Sequence, residues 1–179
     1  MRVLAAPDKF RGTLSAREAA AAIALGAHRA GWECEELPLA DGGEGTLDVI
    51  GGGNRTAVVT GPLGEPVEAV WRLEEGVAIV EAAQACGLAL AGGASGNDPL
   101  RATSRGVGEL IAAATAAGAE GVIVAVGGVA STDGGVGAVE ALGGRLAVPL
   151  EVACDVEARL LDAADVFAPQ KGATPEQVA

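Results

Sequence analysis

The amino-acid sequence predicts an α/β fold with a largely parallel sheet flanked by helices. Short apolar runs alternate with alanine-rich segments that favour helices, which is typical of parallel strands joined by helical crossovers. Glycine is frequent, with 28 residues among 179, and its clusters fall between the apolar runs. Half of the residues are hydrophobic, which excludes a disordered chain and supplies a core of Ala, Val, Leu and Ile.

The first unit has the pattern of a strand, a charged loop and a helix. Residues 2–6 form a short apolar run that stops at Pro7, and we expect a buried strand there. Ser15 and Glu18 have the spacing of a capping box at a helix start. The alanine-rich run that follows favours helix, and Gly31 suits its end.

A second strand and an antiparallel patch follow. The strand is expected to end near Leu39, before Asp41 and a glycine loop. Three strand-like runs around 56–83 leave no room for helices between them, so we predict an antiparallel β patch that forms a flap or begins a second domain. We therefore assign residues 1–55 to a first α/β domain and residues 56–179 to a second α/β domain that contains the patch.

The remaining sequence predicts further strands and helices. A helix is expected over about 105–117, with Thr103 or Ser104 as its cap. The continuous apolar run over 122–126 indicates a strand buried on both faces, and a small-residue helix follows the next loop. The segment "PLEVACD" predicts another strand, and the tail begins a helix at Pro175.

The charge balance excludes several classes of partner. The net charge is −12, and an acidic surface repels nucleic-acid phosphates and anionic lipid, so we expect neither nucleic acid nor membrane as a partner. The three cysteines have no close spacing, which argues against a disulfide framework or a zinc site. No apolar stretch is long enough for a spanning helix, and we predict a cytoplasmic protein.

Four aspartates recur in one kind of place, just after an apolar strand. Because the carboxyl ends of parallel strands lie at one edge of a sheet, where α/β proteins bind ligands, these carboxylates are expected to converge. Any one of them alone is better explained as an ordinary turn or cap residue, but four in the same kind of place favour a site. The four are Asp8, Asp41, Asp133 and Asp155.

Cations and glycine loops accompany these acids. The chain has two lysines, Lys9 and Lys171, and both lie in such loops, with Arg11 beside the first. Lysine is a compact point-charge donor, and glycine lets backbone N–H groups turn toward phosphate. Neither a P-loop nor a GxGxxG motif is present, and the single His28 leaves little for a histidine-based triad. Carboxylates, cations and glycine loops together suit phosphoryl transfer with Mg²⁺, or binding of a small anionic acceptor.

The sequence also resembles the bacterial glycerate kinases of the glycerate 2-kinase type. The resemblance is carried by "APDKFRGTLSAREAA", "LPLADGGEGT", "VTGPLGEPVEA", "EAAQACGL", "VGGVASTDGGVGA", "EVACDV" and "FAPQKGAT", in family order along nearly the whole chain. It implies ATP-dependent phosphorylation of D-glycerate in a cleft between two α/β domains, with ATP and Mg²⁺ as cofactors. The catalytic set that it implies is Asp8, Lys9, Arg11, Asp41, Asp133, Asp155 and Lys171. The candidate nucleotide-binding set is Gly42, Gly43, Gly127, Gly128, Ser131, Thr132 and Gly134.

The sequence departs from the family pattern in its glycine loop, after Asp155, and between "EALGGR" and "EVACDV", where a longer family stretch is nearly deleted. Val129 and Thr132 replace a serine and an asparagine of the family's glycine loop, and residues 157–159 replace a Thr-Asn-Pro run. Family chains are also roughly twice as long, so we expect an N-terminal part, with an incomplete first domain, or a shortened member.

These departures leave alternatives open. One is a non-catalytic relative that binds a small anion or a nucleotide, and another is a metal-dependent phosphatase. The phosphorylated hydroxyl, the acid that serves as base or metal ligand, and homo-oligomerisation are also left open.

Overall fold

The structure is a computed structural model that describes residues 1–10 and 12–178. The strands are β1 (Arg2–Ala5), β2 (Glu33–Glu36), β3 (Arg55–Thr60), β4 (Pro66–Glu74), β5 (Val77–Glu81), β6 (Gly121–Ala125) and β7 (Leu150–Ala153). The α-helices are α1 (Ala16–Arg29), α2 (Thr46–Val49), α3 (Ala83–Cys86), α4 (Arg105–Ala116), α5 (Val136–Ala141), α6 (Ala163–Phe167) and α7 (Pro175–Val178). Two 3₁₀ turns lie at Leu160–Asp162 and Pro169–Lys171.

Strands β1 and β2 form a two-stranded parallel sheet, with α1 as the crossover. Beyond the strands the pairing continues through Leu37 N to Ala5 O at 2.8 Å and Leu39 N to Pro7 O at 2.9 Å. The expectation that the first strand is buried was wrong: Ala5 is buried, but Leu4 is 56% exposed. A two-stranded sheet with α1 against it leaves the other side chains of β1 in contact with solvent.

The predicted boundaries of α1 are confirmed. Ser15 N donates to Glu18 Oε2 at 2.8 Å and Glu18 N donates to Ser15 Oγ at 3.2 Å, which completes the capping box. Gly31, just after the helix, has a φ of +77°, a left-handed conformation that glycine adopts without strain. The charged loop before α1 therefore runs from the end of β1 to the capped start of the helix at Ser15.

The other strands form one five-stranded sheet in the order β3-β4-β5-β6-β7. The strands β3, β4 and β5 pair antiparallel, whereas β5, β6 and β7 pair parallel. The predicted antiparallel patch is thus present, as one end of a mixed sheet rather than as a separate flap. Leu110 of α4 packs against Val80 and Val122 in the largest core cluster, and each of the three is at most 2% exposed.

The α/β class with helices flanking the strands is confirmed. The chain passes from the two-stranded to the five-stranded sheet between α2 and β3, close to the domain boundary placed after residue 55. The division into two domains stays a prediction.

Candidate functional site

The loops that follow β1 and β2 meet around the ammonium of Lys9. Lys9 Nζ lies 3.0 Å from Asp41 Oδ1 and 3.8 Å from Asp8 Oδ2. The Lys9 side chain is only 17% exposed, so this ion pair is better shielded from solvent than a surface pair. The two extra backbone hydrogen bonds beyond β1 and β2 hold the loops side by side, and the predicted trio therefore lies together.

The environment of Asp41 favours its charged form. Burial raises the pKa of Asp41, but the hydrogen bonds from the Lys9 ammonium and the Gly43 N–H, together with the Lys9 charge, outweigh it. The Gly43 N–H donates to Asp41 Oδ1 at 2.8 Å. The pKa of Asp41 therefore lies below its ordinary value, and this carboxylate stays ionised at neutral pH.

The loop over residues 41–45, here called the Asp41 loop, packs directly on the five-stranded sheet. Gly127, just after β6, donates from its N–H to Gly42 O at 3.1 Å. A Cβ at Gly127 would lie 2.5 Å from Gly43 Cα, so only glycine permits this approach. Three glycines of the predicted nucleotide-binding set thus form the junction between the two sheets.

Three adjoining cavities open at this junction. A cavity of about 290 Å³ is lined by Lys9, Asp41, Glu44, Asp155 and the 127–128 backbone, among others. Next to it, a cavity of about 450 Å³ shares Asp155 and is mostly apolar. Its lining includes Leu88, Val126, Val129, Val156, Phe167 and Lys171. A third cavity of about 380 Å³ lies between Asp8, Glu44 and the start of α1. Asp155 and both lysines therefore face a common cleft.

Lys171 reaches this cleft from the second 3₁₀ turn. Its Nζ donates to Ser131 O at 2.5 Å, and its backbone oxygen accepts from Asn97 Nδ2 at 2.9 Å. Burial lowers the pKa of Lys171, although nearby Cys86 and Asp133 act in the opposite direction. Burial also raises the pKa of the Cys86 thiol to about 11, so that thiol is neutral at physiological pH.

Asp133 is occupied by the protein itself. Its Oδ2 accepts from Ser104 N at 2.8 Å, Ser104 Oγ at 2.7 Å and Gly137 N at 3.2 Å, and its Oδ1 accepts from Gly135 N at 3.1 Å. Burial raises the pKa of Asp133, but these hydrogen bonds together lower it below its ordinary value. The carboxylate ties the start of α4 to the start of α5.

The other predicted residues of the loop between β6 and α5 support the shape of that loop. Thr132 Oγ1 donates to Pro99 O at 2.7 Å, and Ser131 is 7% exposed beneath Lys171. Gly134 has a φ of +61°. At the start of α4, Ser104 holds the N-cap position and donates its hydroxyl to Asp133, while Thr103 Oγ1 accepts from Arg105 N at 3.1 Å.

Replacing Asp133 by asparagine is expected to lower the free energy of unfolding at pH 7 by about 1–3 kcal/mol, because an amide nitrogen cannot accept from the N–H groups it would face. The folded-state pKa of Asp133 is below the unfolded value, so its stabilisation is complete above that value and is lost as pH falls through the folded pKa. Urea unfolding of wild type and Asp133→Asn, at pH 7 and below about pH 4, measures this, since an aspartate carboxyl in the unfolded chain has a pKa of about 4.

The exposed Asp165 on α6 gives the matched control, and we expect Asp165→Asn to change stability little. Equal free energies of unfolding for wild type and Asp133→Asn at pH 7 would contradict the assigned hydrogen bonds. A difference that does not shrink in acid would contradict them too.

Sequence reasoning missed two carboxylates at this junction. Glu81 is 1% exposed and accepts N–H groups of the Asp41 loop and α2, and Glu44 lines two of the cavities. The "GGEG" loop contains Glu44 beside predicted residues. Glu81 ends an apolar strand and begins the "EAAQACGL" motif, but its backbone partners lie far away in the sequence. Predicted Arg11 lies outside the described residues.

Within residues 1–10 and 12–178, no group of three His, Cys, Asp or Glu side chains is arranged to hold a metal ion. The same residues include no helix with the length and hydropathy needed to cross a bilayer.

Known proteins are similar to this chain in sequence and in fold. Residues 3–148 match the glycerate kinase family. The glycerate kinase of Bacillus subtilis is 42% identical over 220 aligned positions, and the glycerate 2-kinase of Escherichia coli is 37% identical, each over 99% of this chain. A crystal structure of a protein provisionally named glycerate kinase 2, from Salmonella typhimurium LT2, superposes on 99% of the chain with a TM-score of 0.75 and 37% identity.

The chain spans between half and three fifths of the length of these relatives: 57% and 58% of the two enzymes and 59% of the crystallised chain. The alignment with the Bacillus enzyme is longer than the 179 residues of this chain, so that enzyme carries residues that this chain lacks. Family membership rests on the match over residues 3–148 together with these identities. The chain belongs to the glycerate kinase family.

Proposed function

We propose that this protein transfers the γ-phosphoryl group of ATP to a hydroxyl of D-glycerate. One observation carries the proposal: Lys9 lies between Asp8 and Asp41 in a cleft that Asp155 and Lys171 also line, in a chain of this family. Ammonium groups beside carboxylates and glycine-rich backbone are what phosphoryl transfer needs, since catalysis is mostly positioning and charge stabilisation.

The cavities of about 290 Å³ and 450 Å³ suit the two substrates. The cavity lined by Lys9, Asp41 and Asp155 is polar enough for the carboxylate and hydroxyls of glycerate. The larger, mostly apolar cavity contains Phe167, whose ring can stack on a purine, and Lys171, whose charge can meet a phosphate. Gly127 and Gly128 line both, so we assign the transferred phosphoryl group to their backbone.

Among Asp8, Asp41 and Asp133, Asp8 is the remaining candidate for the proton acceptor, and it lines the 380 Å³ cavity that adjoins the proposed glycerate cavity at Lys9 and Glu44. Asp133 already accepts four hydrogen bonds, and Asp41 is held ionised by Lys9 and Gly43. In the proposed step the glycerate hydroxyl oxygen bonds to the γ-phosphorus, the bond from that phosphorus to the bridging oxygen of ADP breaks, and the hydroxyl proton passes to Asp8.

The residues fit Mg²⁺ only as an ion that arrives with the nucleotide. Magnesium commonly takes one or two carboxylates plus substrate phosphates, and Asp155 lines both proposed substrate cavities with an exposed carboxylate. The bound ion would neutralise phosphate charge.

An assay of ADP release with D-glycerate tests the proposal. Turnover of about 1 per second or more is the expected result for an ordinary enzyme. The double variant Asp8→Asn with Lys9→Ala is expected to abolish it.

Two other outcomes favour the alternatives. Calorimetric binding of ATP or glycerate without turnover would indicate the non-catalytic relative, which the replacement of a family serine by Val129 motivates. Phosphate release from phosphoglycerate in the absence of ADP would indicate a phosphatase. Either result, or turnover that survives the double variant, contradicts the proposal.

A further inference from the structure

We infer that Glu81 is a positioning residue, whose buried carboxylate fixes the Asp41 loop from the opposite sheet. Glu81 ends β5 and is 1% exposed. Its Oε1 accepts from Gly45 N at 3.1 Å, and its Oε2 accepts from Leu47 N at 3.0 Å. Both carboxylate oxygens are therefore used on the backbone that directly follows Asp41.

The burial of this carboxylate is compensated by backbone N–H groups. A buried carboxylate is costly unless it is hydrogen-bonded or paired, and N–H bonds to a charged oxygen are about twice as strong as neutral ones. In the part of the chain that the structure describes, no Lys, Arg or His lies within ion-pair distance of Glu81. The two N–H groups are thus the partners that hold its charge in place.

These hydrogen bonds cross from one sheet to the other. Glu81 belongs to the five-stranded sheet, whereas Gly45 and Leu47 follow β2 of the two-stranded sheet, 36 and 34 residues earlier. The Asp41 loop has a second attachment to the same sheet, where Gly127 N donates to Gly42 O. The loop is therefore attached near both of its ends. Gly43 lies between the two attachments, and Asp41 directly precedes the first.

Loss of the Glu81 contact would free one end of the loop. Gly43 N–H and Lys9 both hold Asp41, and neither touches Glu81. A purely local role for Glu81 would change only Gly45, Leu47 and α2. A positioning role would also change Asp41, and this difference separates the two.

The test is Glu81→Gln, which keeps the size of the side chain but replaces one acceptor by an NH₂ group. We expect the pKa of Asp41, measured by carboxyl NMR titration, to rise toward its ordinary value, and the Gly43 amide to exchange faster with solvent. In the kinase assay we expect kcat to fall about 10–100-fold, because small misplacements of reacting groups slow the chemical step. We expect a smaller change in KM for glycerate.

Glu109→Gln is the matched control. Glu109 also accepts a backbone N–H, from Thr60 at 2.7 Å, and it links α4 to β3 away from the Asp41 loop. We expect this variant to lose stability without any change in the pKa of Asp41 or in kcat.

The kinetic part of this test rests on the proposed function, and the NMR part does not. A wild-type protein without kinase activity would defeat the proposed function and leave the NMR result to decide the role of Glu81. A folded Glu81→Gln variant with an unchanged Asp41 pKa and unchanged Gly43 exchange overturns the inference. If that variant does not fold, wild-type Gly45 and Leu47 amides that exchange as fast as in an unfolded peptide overturn it instead.

Discussion

Replacing Lys9 by methionine is expected to lower glycerate phosphorylation by at least about a hundredfold, the usual effect of removing one group that stabilises transition-state charge. Methionine keeps an unbranched apolar stem in a position that is only 17% exposed, so the change removes mainly the ammonium. The ammonium lies 3.0 Å from Asp41 and 3.8 Å from Asp8, and its loss leaves two neighbouring carboxylates without their counter-charge. ADP release under saturating ATP and glycerate gives the measurement.

A second measurement makes this prediction independent of turnover. Lys9 lowers the pKa of Asp41 by hydrogen bonding and by charge, so in Lys9→Met the pKa of Asp41 is expected to rise. Arg2→Met is the control, because the Arg2–Glu33 pair joins β1 to β2 but both side chains are more than four-fifths exposed. Full activity and an unshifted Asp41 titration in Lys9→Met would contradict the central place given to this ammonium.

The sequence predicts well those features that depend on short-range spacing. Ser15 and Glu18 are three residues apart, so the capping box is visible in the sequence alone. Asp8, Lys9 and Asp41 were also placed together correctly, because each follows a strand and the two strands are consecutive and parallel. Parallel neighbours end at one edge of a sheet, and the loops beyond them must then lie side by side.

The same reasoning does not separate a carboxylate in the cleft from one that caps a helix. Asp133 follows a strand as Asp41 does, yet its oxygens accept from Ser104, 29 residues earlier, and from the start of α5. Glu81 was missed for a related reason, since its partners lie at least 34 residues away in the other sheet. The exposure of Leu4 likewise depends on how many strands pair in its sheet, which an apolar run does not reveal.

Substitution of Gly127 by alanine is expected to separate the Asp41 loop from the five-stranded sheet. The added Cβ would lie 2.5 Å from Gly43 Cα and 3.3 Å from Gly43 N, both backbone atoms that cannot move aside as a flexible side chain can. Overpacking of this kind typically costs about 1–3 kcal/mol of stability. Because Gly43 N–H holds Asp41 and Gly127 lines both the 290 Å³ and the 450 Å³ cavity, we also expect the proposed phosphorylation of glycerate to fall by about a hundredfold.

Gly121→Ala tests whether this effect comes from the close approach or from glycine itself. Gly121 begins the strand β6 that Gly127 follows, and a Cβ there would meet no atom within 4 Å. Neither glycine has a positive φ, so both backbones accept alanine without conformational strain. We therefore expect Gly121→Ala to keep stability and activity while Gly127→Ala loses both. Equal behaviour of the two variants would mean that contact between the sheets at Gly43 does not hold the site together, and Lys9 and Asp155 would then need another reason to share one cleft.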